Sequence, residues 1–172
     1  DDWPHDPDSA KAIRLRSARR WSLPEEFHYT RWTGQRTCAH IEHAAREGRP
    51  FFIWASFHDP HPPYAAPEPW ADMYKAADMV PGTLVQDEHN RNAAHFRKTQ
   101  ERDMNYWRRV RKGEAIHGGT CHLRDAEELK KDMACYYGMV SFLDSEIGQI
   151  LALLEREGIA ENTLMVFTTD HG

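Results

Sequence analysis

The sequence lacks the features that mark several large classes of protein. No apolar run approaches the roughly 20 residues that a helix needs to cross a bilayer, so we predict no membrane span. Lys and Arg number 22 against 27 Asp and Glu. The tightest basic cluster, between Arg14 and Arg20, lies near an acidic start and is interpreted as a solvated face. This composition gives no reason to expect nucleic acid or an anionic membrane as a partner.

Cysteine is also scarce and shows no recognisable pairing. Cys38, Cys121 and Cys135 form neither an even set nor a C-x-x-C motif, so no disulfide framework is predicted. Cys38 and Cys135 fall in helical patterns, where a thiol packs as a small apolar residue. The chain does not begin with Met, has no signal-peptide pattern and stops directly after a strand pattern. We expect both ends to be cuts within a longer protein. The sequence therefore gives no basis for predicting the cellular compartment.

Two helices are predicted from the spacing of apolar residues. The first covers about residues 33–47 and ends at Gly48. The second covers about residues 126–157, with Asp125 as its cap and Gly158 at its end. Apolar residues at helical spacing predict one buried face of this second helix. That face comprises Met133, Tyr136, Tyr137, Val140, Leu143, Ile147, Ile150, Leu151 and Leu154.

A continuous apolar run follows each predicted helix. Residues 51–57 (FFIWASF) and residues 163–169 (TLMVFTT) have the composition of buried strands in a parallel sheet. Residues 58–70 hold five of the chain's ten prolines, which predicts a stiff loop. Residues 1–29 are interpreted as a surface connection and residues 80–120 as a peripheral insertion. Strands joined by helices predict an α/β fold with a parallel sheet and right-handed crossovers.

Polar residues come directly after both predicted strands. His58, Asp59 and His61 follow the first, and Asp170 and His171 follow the second. Parallel α/β sheets bind their ligands at the C-terminal ends of the strands. The sequence therefore predicts a functional site where these two groups of residues meet.

Asp170 and His171 combine a carboxylate with an imidazole, and Gly172 permits a sharp bend after them. The carboxylate suits Ca²⁺, Mg²⁺ or Mn²⁺, and the added imidazole favours Mn²⁺ or Zn²⁺. Two ligands do not complete a site, so we expect further ligands elsewhere. The alternative is a capping aspartate beside a surface histidine.

His58, Asp59 and His61 lie in the proline-rich loop, which would hold their side chains in a fixed geometry. His61, between Pro60 and Pro62, could donate a hydrogen bond to an anionic oxygen or protonate a leaving group. The alternative is that His58 and His61 only satisfy backbone carbonyls of the loop. The remaining histidines are interpreted as surface or structural residues: His5, His28, His40, His43, His89, His95, His117 and His122.

Two segments of the chain resemble the sulfatase family of the alkaline phosphatase superfamily. The first, over roughly residues 50–75, is PFFIWASFHDPHPPYAAPEPWADMY, and it resembles a family signature in which a PFF strand leads into an H-x-P loop. The second, over residues 136–172, is YYGMVSFLDSEIGQILALLEREGIAENTLMVFTTDHG. It resembles the family's helix, strand and metal loop. The segment before Phe51, EFHYTRWTGQRTCAHIEHAAREGR, resembles more loosely the preceding helix of bacterial sulfatases.

The resemblance implies an alkaline-phosphatase-like α/β core of parallel strands and flanking helices, incomplete at both ends. The 172 residues would be part of one catalytic domain, with core blocks at about 30–75 and 125–172. The implied reaction is hydrolysis of a sulfate ester of a small molecule or carbohydrate. In the family the nucleophile is a formylglycine, and a divalent cation assists it, commonly Ca²⁺, with Mn²⁺ or Mg²⁺ as alternatives.

The resemblance also implies roles for individual residues. Asp170 and His171 match two metal ligands of the family, where many sulfatases have Asn in place of His. His61 matches the histidine that contacts the sulfate or the leaving-group oxygen. His58 and Asp59 are kept as a possible secondary site.

The chain departs from the family pattern in one important respect. None of its three cysteines is followed by x-P-x-R, the context in which formylglycine is made. The family's N-terminal Asp pair and the lysine after D-H-G are also missing. We therefore expect the nucleophile to lie outside this chain, and we predict that this polypeptide alone is inactive.

Other functions remain open on the same residues. A phosphonate monoester hydrolase or phosphodiesterase of the same superfamily would share the H-P-P-Y and D-H-G elements, and His171 in place of Asn favours it. A phosphate-transferring relative would need a Thr or Ser nucleophile upstream. A non-catalytic module could instead hold carbohydrate on the aromatic side chains of Trp54, Tyr64 and Trp70.

Overall fold

The computed structural model describes residues 19–83, 85, 87, 90, 91 and 126–170, and two helices dominate this part of the chain. Helix α1 covers Tyr29–Arg46, and helix α2 covers Ala126–Arg156. Both predicted helices are confirmed, although α1 begins earlier than the predicted residue 33 or so. Asp125, the predicted cap of α2, lies outside the described residues.

Glycines end both helices as the sequence predicted. Gly48 and Gly158 have positive φ angles of 62° and 69°, which only glycine adopts without steric cost. After α1, the amide of Arg49 donates to the carbonyl of Ala44 at 3.1 Å. The same arrangement follows α2, where the amide of Ile159 donates to Leu154 at 3.0 Å. These bonds satisfy carbonyls that each helix end would otherwise leave without partners.

The apolar core lies between the two helices and under the proline-rich loop. Ile41 of α1 packs with Ile150, Leu153 and Leu154 of α2, and all four side chains are buried. A second cluster joins Cys135 and Met139 of α2 to Ala66 of the loop. Burial of Cys135 agrees with its predicted role as a small apolar residue. The helix pair therefore provides the surface on which the loop rests.

The predicted buried face of α2 is wrong for four of its nine members, while Ile150 and Leu154 are buried as predicted. Four of its members are exposed, by 37% to 44% of their surface: Tyr136, Tyr137, Val140 and Leu151. The observed buried face shares Ile150 and Leu154 with the prediction but otherwise runs through Cys135, Met139, Phe142, Glu146 and Leu153. One residue along a helix is a rotation of about 100°, and α2 carries apolar residues on both of these stripes. Gly138 lies on the buried side and allows the loop at Trp70 to approach the backbone of α2.

The two predicted strands form no regular secondary structure in the described chain. Phe52 and Trp54 of the first run are 88% and 74% exposed, and Leu164 and Phe167 of the second are 90% and 75% exposed. A strand is buried and satisfies its backbone only beside neighbouring strands, and no described strand pairs with either run. Residues 51–57 and 163–169 therefore do not form the predicted parallel sheet within this part of the chain.

A single short strand pair occurs among the described residues. Strand β1, Arg19–Arg20, pairs in parallel with strand β2, Ala65–Ala66. Strand β2 lies inside the segment 58–70, where Pro67 follows it directly and prevents a longer ladder. The prediction that residues 1–29 are a surface connection is wrong for the last part of that range, which contributes β1 and a buried His28.

No helix in the described part of the chain is long and apolar enough to span a membrane. Most of the predicted insertion at 80–120 lies outside the described residues.

Candidate functional site

The loop after residues 51–57 divides the predicted site residues into buried and exposed ones. His58 and His61 are exposed, and Asp59 is buried with 4% of its surface accessible. The loop is held against the first turn of α1 on one side and against α2 on the other. It therefore presents the two imidazoles and hides the carboxylate.

His61 is held by its own loop. Its Nδ1 lies 2.6 Å from the carbonyl oxygen of Pro62, so this nitrogen carries the proton and donates. Its Nε2 has no hydrogen-bond partner among the described residues. The bond to Pro62 agrees with the alternative that His61 serves a backbone carbonyl. It also fixes the ring and leaves Nε2 for a ligand.

A chain of ring-to-ring contacts leads from His61 to helix α2. The centroid of His61 is 4.8 Å from that of His58, and His58 is 5.4 Å from Tyr29. Tyr29 is in turn 4.2 Å from His28, and His28 is 5.2 Å from Phe142 of α2. His61 is therefore connected to the core through ring contacts.

Asp59 faces the start of α1 rather than solvent. Its Oδ2 accepts a hydrogen bond of 2.7 Å from the hydroxyl of Thr30. Its Oδ1 is buried without a hydrogen-bond partner in the described part of the chain. The predicted secondary site of His58 and Asp59 is thus divided, because only His58 is accessible to a ligand.

His28 is a buried residue beside the loop that the sequence did not single out. Its ring is fully buried, and its Nδ1 accepts a hydrogen bond of 3.2 Å from the amide of Thr30, which caps α1. Its Nε2 therefore carries the proton and donates to the carbonyl of Ala65 at 3.1 Å. Burial lowers the pKa of His28, although the nearby charge of Asp59 opposes this. The interpretation of His28 as structural is correct, but a surface position is wrong.

A buried ion pair joins the first turn of α1 to helix α2. The guanidinium of Arg31 bridges Glu25 and Glu146, and the side chain of Glu146 is only 1% exposed. Burial raises the pKa of Glu146, while Arg31 and a hydrogen bond of 2.8 Å from Gln149 oppose the increase. A Cβ at Gly34 would lie 2.3 Å from Oε2 of Glu146. The two helices therefore approach closely at a charged contact.

The aromatic residues considered for carbohydrate binding do not share one exposed surface. Trp54 is exposed, but Trp70 stacks on Phe142 with centroids 5.7 Å apart. Tyr64 is half-buried and contacts Tyr136 edge-to-face at 6.0 Å. This arrangement does not support a flat aromatic binding surface.

Asp170 is exposed at the end of residues 163–169, and His171 lies outside the described residues. Within residues 19–83 and 126–170, no group of three or more His, Cys, Asp or Glu side chains has an arrangement that could hold a metal ion. An exposed carboxylate fits the role of one oxygen ligand. The predicted metal pair thus stays a prediction.

The sequence is similar to those of known sulfatases along nearly its whole length. A sequence model of the sulfatase family matches residues 9–172. The arylsulfatase of Clostridium perfringens is 31% identical over 90% of this chain and 28% of its own length. The multifunctional alkaline phosphatase superfamily protein PehA of Trinickia caryophylli is 31% identical over 87% of this chain and 28% of its own length. The mouse (Mus musculus) iduronate 2-sulfatase is 26% identical over 77% of this chain and 23% of its length.

These matches extend across both segments that carry the resemblance and across the residues between them. The chain spans about 28% of the length of the first two relatives. Membership of the family implies an alkaline-phosphatase-like α/β fold. The chain belongs to the sulfatase family.

Proposed function

We propose that this chain is part of a longer sulfatase that hydrolyses sulfate esters of a small molecule or carbohydrate. The observation that carries the proposal is the match of the sulfatase family over residues 9–172. The geometry of the loop supports it, because His61 is exposed and its Nε2 is available to a ligand.

In this proposal His61 contacts the sulfate or the leaving-group oxygen through Nε2. Its Nδ1–H donates to the carbonyl of Pro62, so a donor at Nε2 requires the protonated ring. The imidazolium can hydrogen-bond an anionic sulfate oxygen, or it can give its Nε2 proton to the departing oxygen. The hydrogen bond to Pro62 restricts rotation of the ring and favours one geometry for either contact.

Asp170 and His171 are proposed ligands of a divalent cation, with Ca²⁺ preferred and Mn²⁺ or Mg²⁺ as alternatives. A bound cation would polarise the sulfate oxygens as a Lewis acid. The remaining ligands and the formylglycine nucleophile are proposed to lie outside this chain, so we expect this polypeptide alone to show no turnover.

The test uses the longer enzyme and an aryl sulfate such as 4-nitrophenyl sulfate. We expect His61→Ala to lower kcat/KM by on the order of a hundredfold, as is typical for loss of a general acid. The control is His40→Ala, which changes an exposed histidine of α1 and should leave kcat/KM unchanged. An unchanged rate in His61→Ala would overturn the proposed role of His61.

The metal is tested separately with Asp170→Ala in the longer enzyme. Activity that is lost on chelation should return at a higher concentration of added Ca²⁺ in the variant than in the wild type, because one oxygen ligand is gone. Equal Ca²⁺ dependence in both proteins would contradict the assignment of Asp170.

A second candidate is a phosphonate monoester hydrolase or phosphodiesterase of the same superfamily. One specific observation favours it, namely His171 at a position where many sulfatases have Asn. Paired aryl sulfate and aryl phosphonate esters with the same leaving group distinguish the two. A large preference for the phosphonate would make this the primary function.

A further inference from the structure

The His61 loop is attached to the first turn of α1 at two points. At the start of the loop, Asp59 accepts a hydrogen bond of 2.7 Å from the hydroxyl of Thr30. Beyond His61 in the same loop, the carbonyl of Ala65 accepts a hydrogen bond of 3.1 Å from His28. His61 lies between these two points, so the position of its ring depends on both.

His28, Thr30 and Asp59 form one connected group, which we name the α1 clamp. The amide of Thr30 donates to His28 at 3.2 Å while its hydroxyl donates to Asp59. Nδ1 of His28 also lies 4.0 Å from Oδ2 of Asp59. A single turn of helix thus holds the loop at two places, and loss of one member disturbs the others.

The α1 clamp is buried although burial of polar groups is unfavourable. The side chains of His28 and Asp59 are both 0% exposed, and Oδ1 of Asp59 has no hydrogen-bond partner among the described residues. A buried carboxylate with an unsatisfied oxygen costs stability. The positions of these buried side chains therefore depend on the hydrogen bonds that join them.

The state of His28 suits this role. Burial lowers its pKa, so the ring stays neutral with one accepting and one donating nitrogen. The two hydrogen bonds coexist only in this form, because a proton on Nδ1 would abolish the bond from the amide of Thr30.

We propose that the α1 clamp positions His61, so that its ring is held for contact with the oxygen of a sulfate ester. This inference rests on the proposed function of His61. Catalytic contacts lose much of their effect when the group moves by about 1 Å, and residues that fix such a group act through it. Removal of the clamp should therefore lower activity only as long as His61 is present.

The experiment compares Thr30→Val and Thr37→Val in the longer enzyme, each in the wild-type and the His61→Ala background. Thr30 and Thr37 are both buried threonines of α1. The hydroxyl of Thr37, however, donates only within the helix, to the carbonyl of Thr33 at 2.8 Å. Thr30→Ser, which keeps the hydroxyl, serves as the rescue. The values of kcat and KM on 4-nitrophenyl sulfate are measured well below each variant's Tm.

We expect Thr30→Val to lower kcat/KM on the order of tenfold, with Thr37→Val and Thr30→Ser within about twofold of wild type. In the His61→Ala background, Thr30→Val should cause no further loss, because coupled residues are not additive. If Thr30→Val does not fold, Asp59→Asn is measured in the same two backgrounds with the same expectation.

Two results would overturn the positioning role while leaving the proposed function intact. One is an equal loss from Thr30→Val in both backgrounds, which indicates a general effect on the fold. The other is no loss in the wild-type background. By contrast, an unchanged kcat/KM in His61→Ala alone overturns the proposed role of His61, and the positioning role with it.

Discussion

Gly138 of helix α2 lies directly against the backbone of the loop at Trp70. A Cβ added there would lie 2.4 Å from the backbone oxygen of Trp70, so the loop would have to move. We predict that Gly138→Ala lowers the free energy of unfolding by about 1–3 kcal/mol, because overpacking outweighs the better helix propensity of alanine. Denaturant unfolding followed by circular dichroism measures this value.

Gly148 provides the matched control on the same helix. An added Cβ there meets nothing within 4 Å, so Gly148→Ala should raise the free energy of unfolding by up to about 1 kcal/mol. If the two substitutions have the same effect, the close contact at Gly138 is wrong.

His28 should make stability depend on pH in one direction. Burial lowers its pKa in the folded chain, and the effects of Asp59, the Ala65 carbonyl and Glu25 oppose this. The contribution of His28 is therefore complete above the unfolded value of about 6.5 and is lost as pH falls through the folded pKa. We predict that between about pH 7 and pH 5 the free energy of unfolding falls more steeply in the wild type than in His28→Gln.

The control for this prediction is His40→Gln, because His40 is an exposed histidine of α1, the helix that His28 caps. It should retain the wild-type dependence on pH. A His28→Gln variant with an unchanged slope would show that the buried ring does not titrate as proposed.

At the level of secondary structure, helices α1 and α2 are joined by charge as well as by apolar contact. Arg31 of α1 pairs with Glu146 of α2, whose side chain is 1% exposed. We predict that Arg31→Met lowers the free energy of unfolding by about 3 kcal/mol, because it leaves a buried carboxylate unpaired. The loss should be smaller at acid pH, since burial already raises the pKa of Glu146 and favours its neutral form.

A second pair between the same helices gives the control. Arg156 donates to Glu42 at 2.9 Å, but their side chains are 62% and 43% exposed. Arg156→Met should cost at most about 1 kcal/mol. Equal losses in the two variants would mean that burial of Glu146 does not determine the strength of its pair.

The sequence predicted the C-terminal ends of the two helices better than it predicted which side of α2 is buried. Gly48 and Gly158 end the helices because the positive φ of a helix end is a local requirement. The buried face of α2 depends on what packs against it, and its sequence carries two apolar stripes. The strand patterns at 51–57 and 163–169 are equally dependent on neighbours, which a local pattern does not contain.

The same distinction holds for the candidate site. The proline-rich loop and the exposure of His61 could be predicted from local composition. The burial of His28 could not, because a histidine that caps a helix has the same local pattern as a surface one. Its position just before Tyr29, with Thr30 two residues on, is the only signal in the sequence.

At the scale of the whole molecule, the two exposed apolar segments should distinguish this chain from the longer enzyme. No backbone hydrogen bond joins residues 51–57 to another described segment. We predict that amides of 51–57 and 164–169 exchange with deuterium far faster than those in the middle of α2 when this chain is measured alone. In the longer enzyme they should be protected, because we expect both segments to pair with further strands.

Hydrogen exchange resolved by mass spectrometry tests this prediction, with α2 as the internal reference in both proteins. Fast exchange of 51–57 in the longer enzyme would contradict the expected sheet. Slow exchange in the isolated chain would instead indicate that the chain pairs these segments with itself.

The contact between Gly34 and Glu146 has a consequence for the evolution of the family. Because a methyl group at position 34 would occupy the space of the Glu146 carboxylate, the two positions share one volume across the helix pair. A relative with alanine or serine at position 34 is therefore expected to carry a shorter side chain at position 146. Paired substitutions at positions 34 and 146 in relatives would indicate that the two helices are in close contact there.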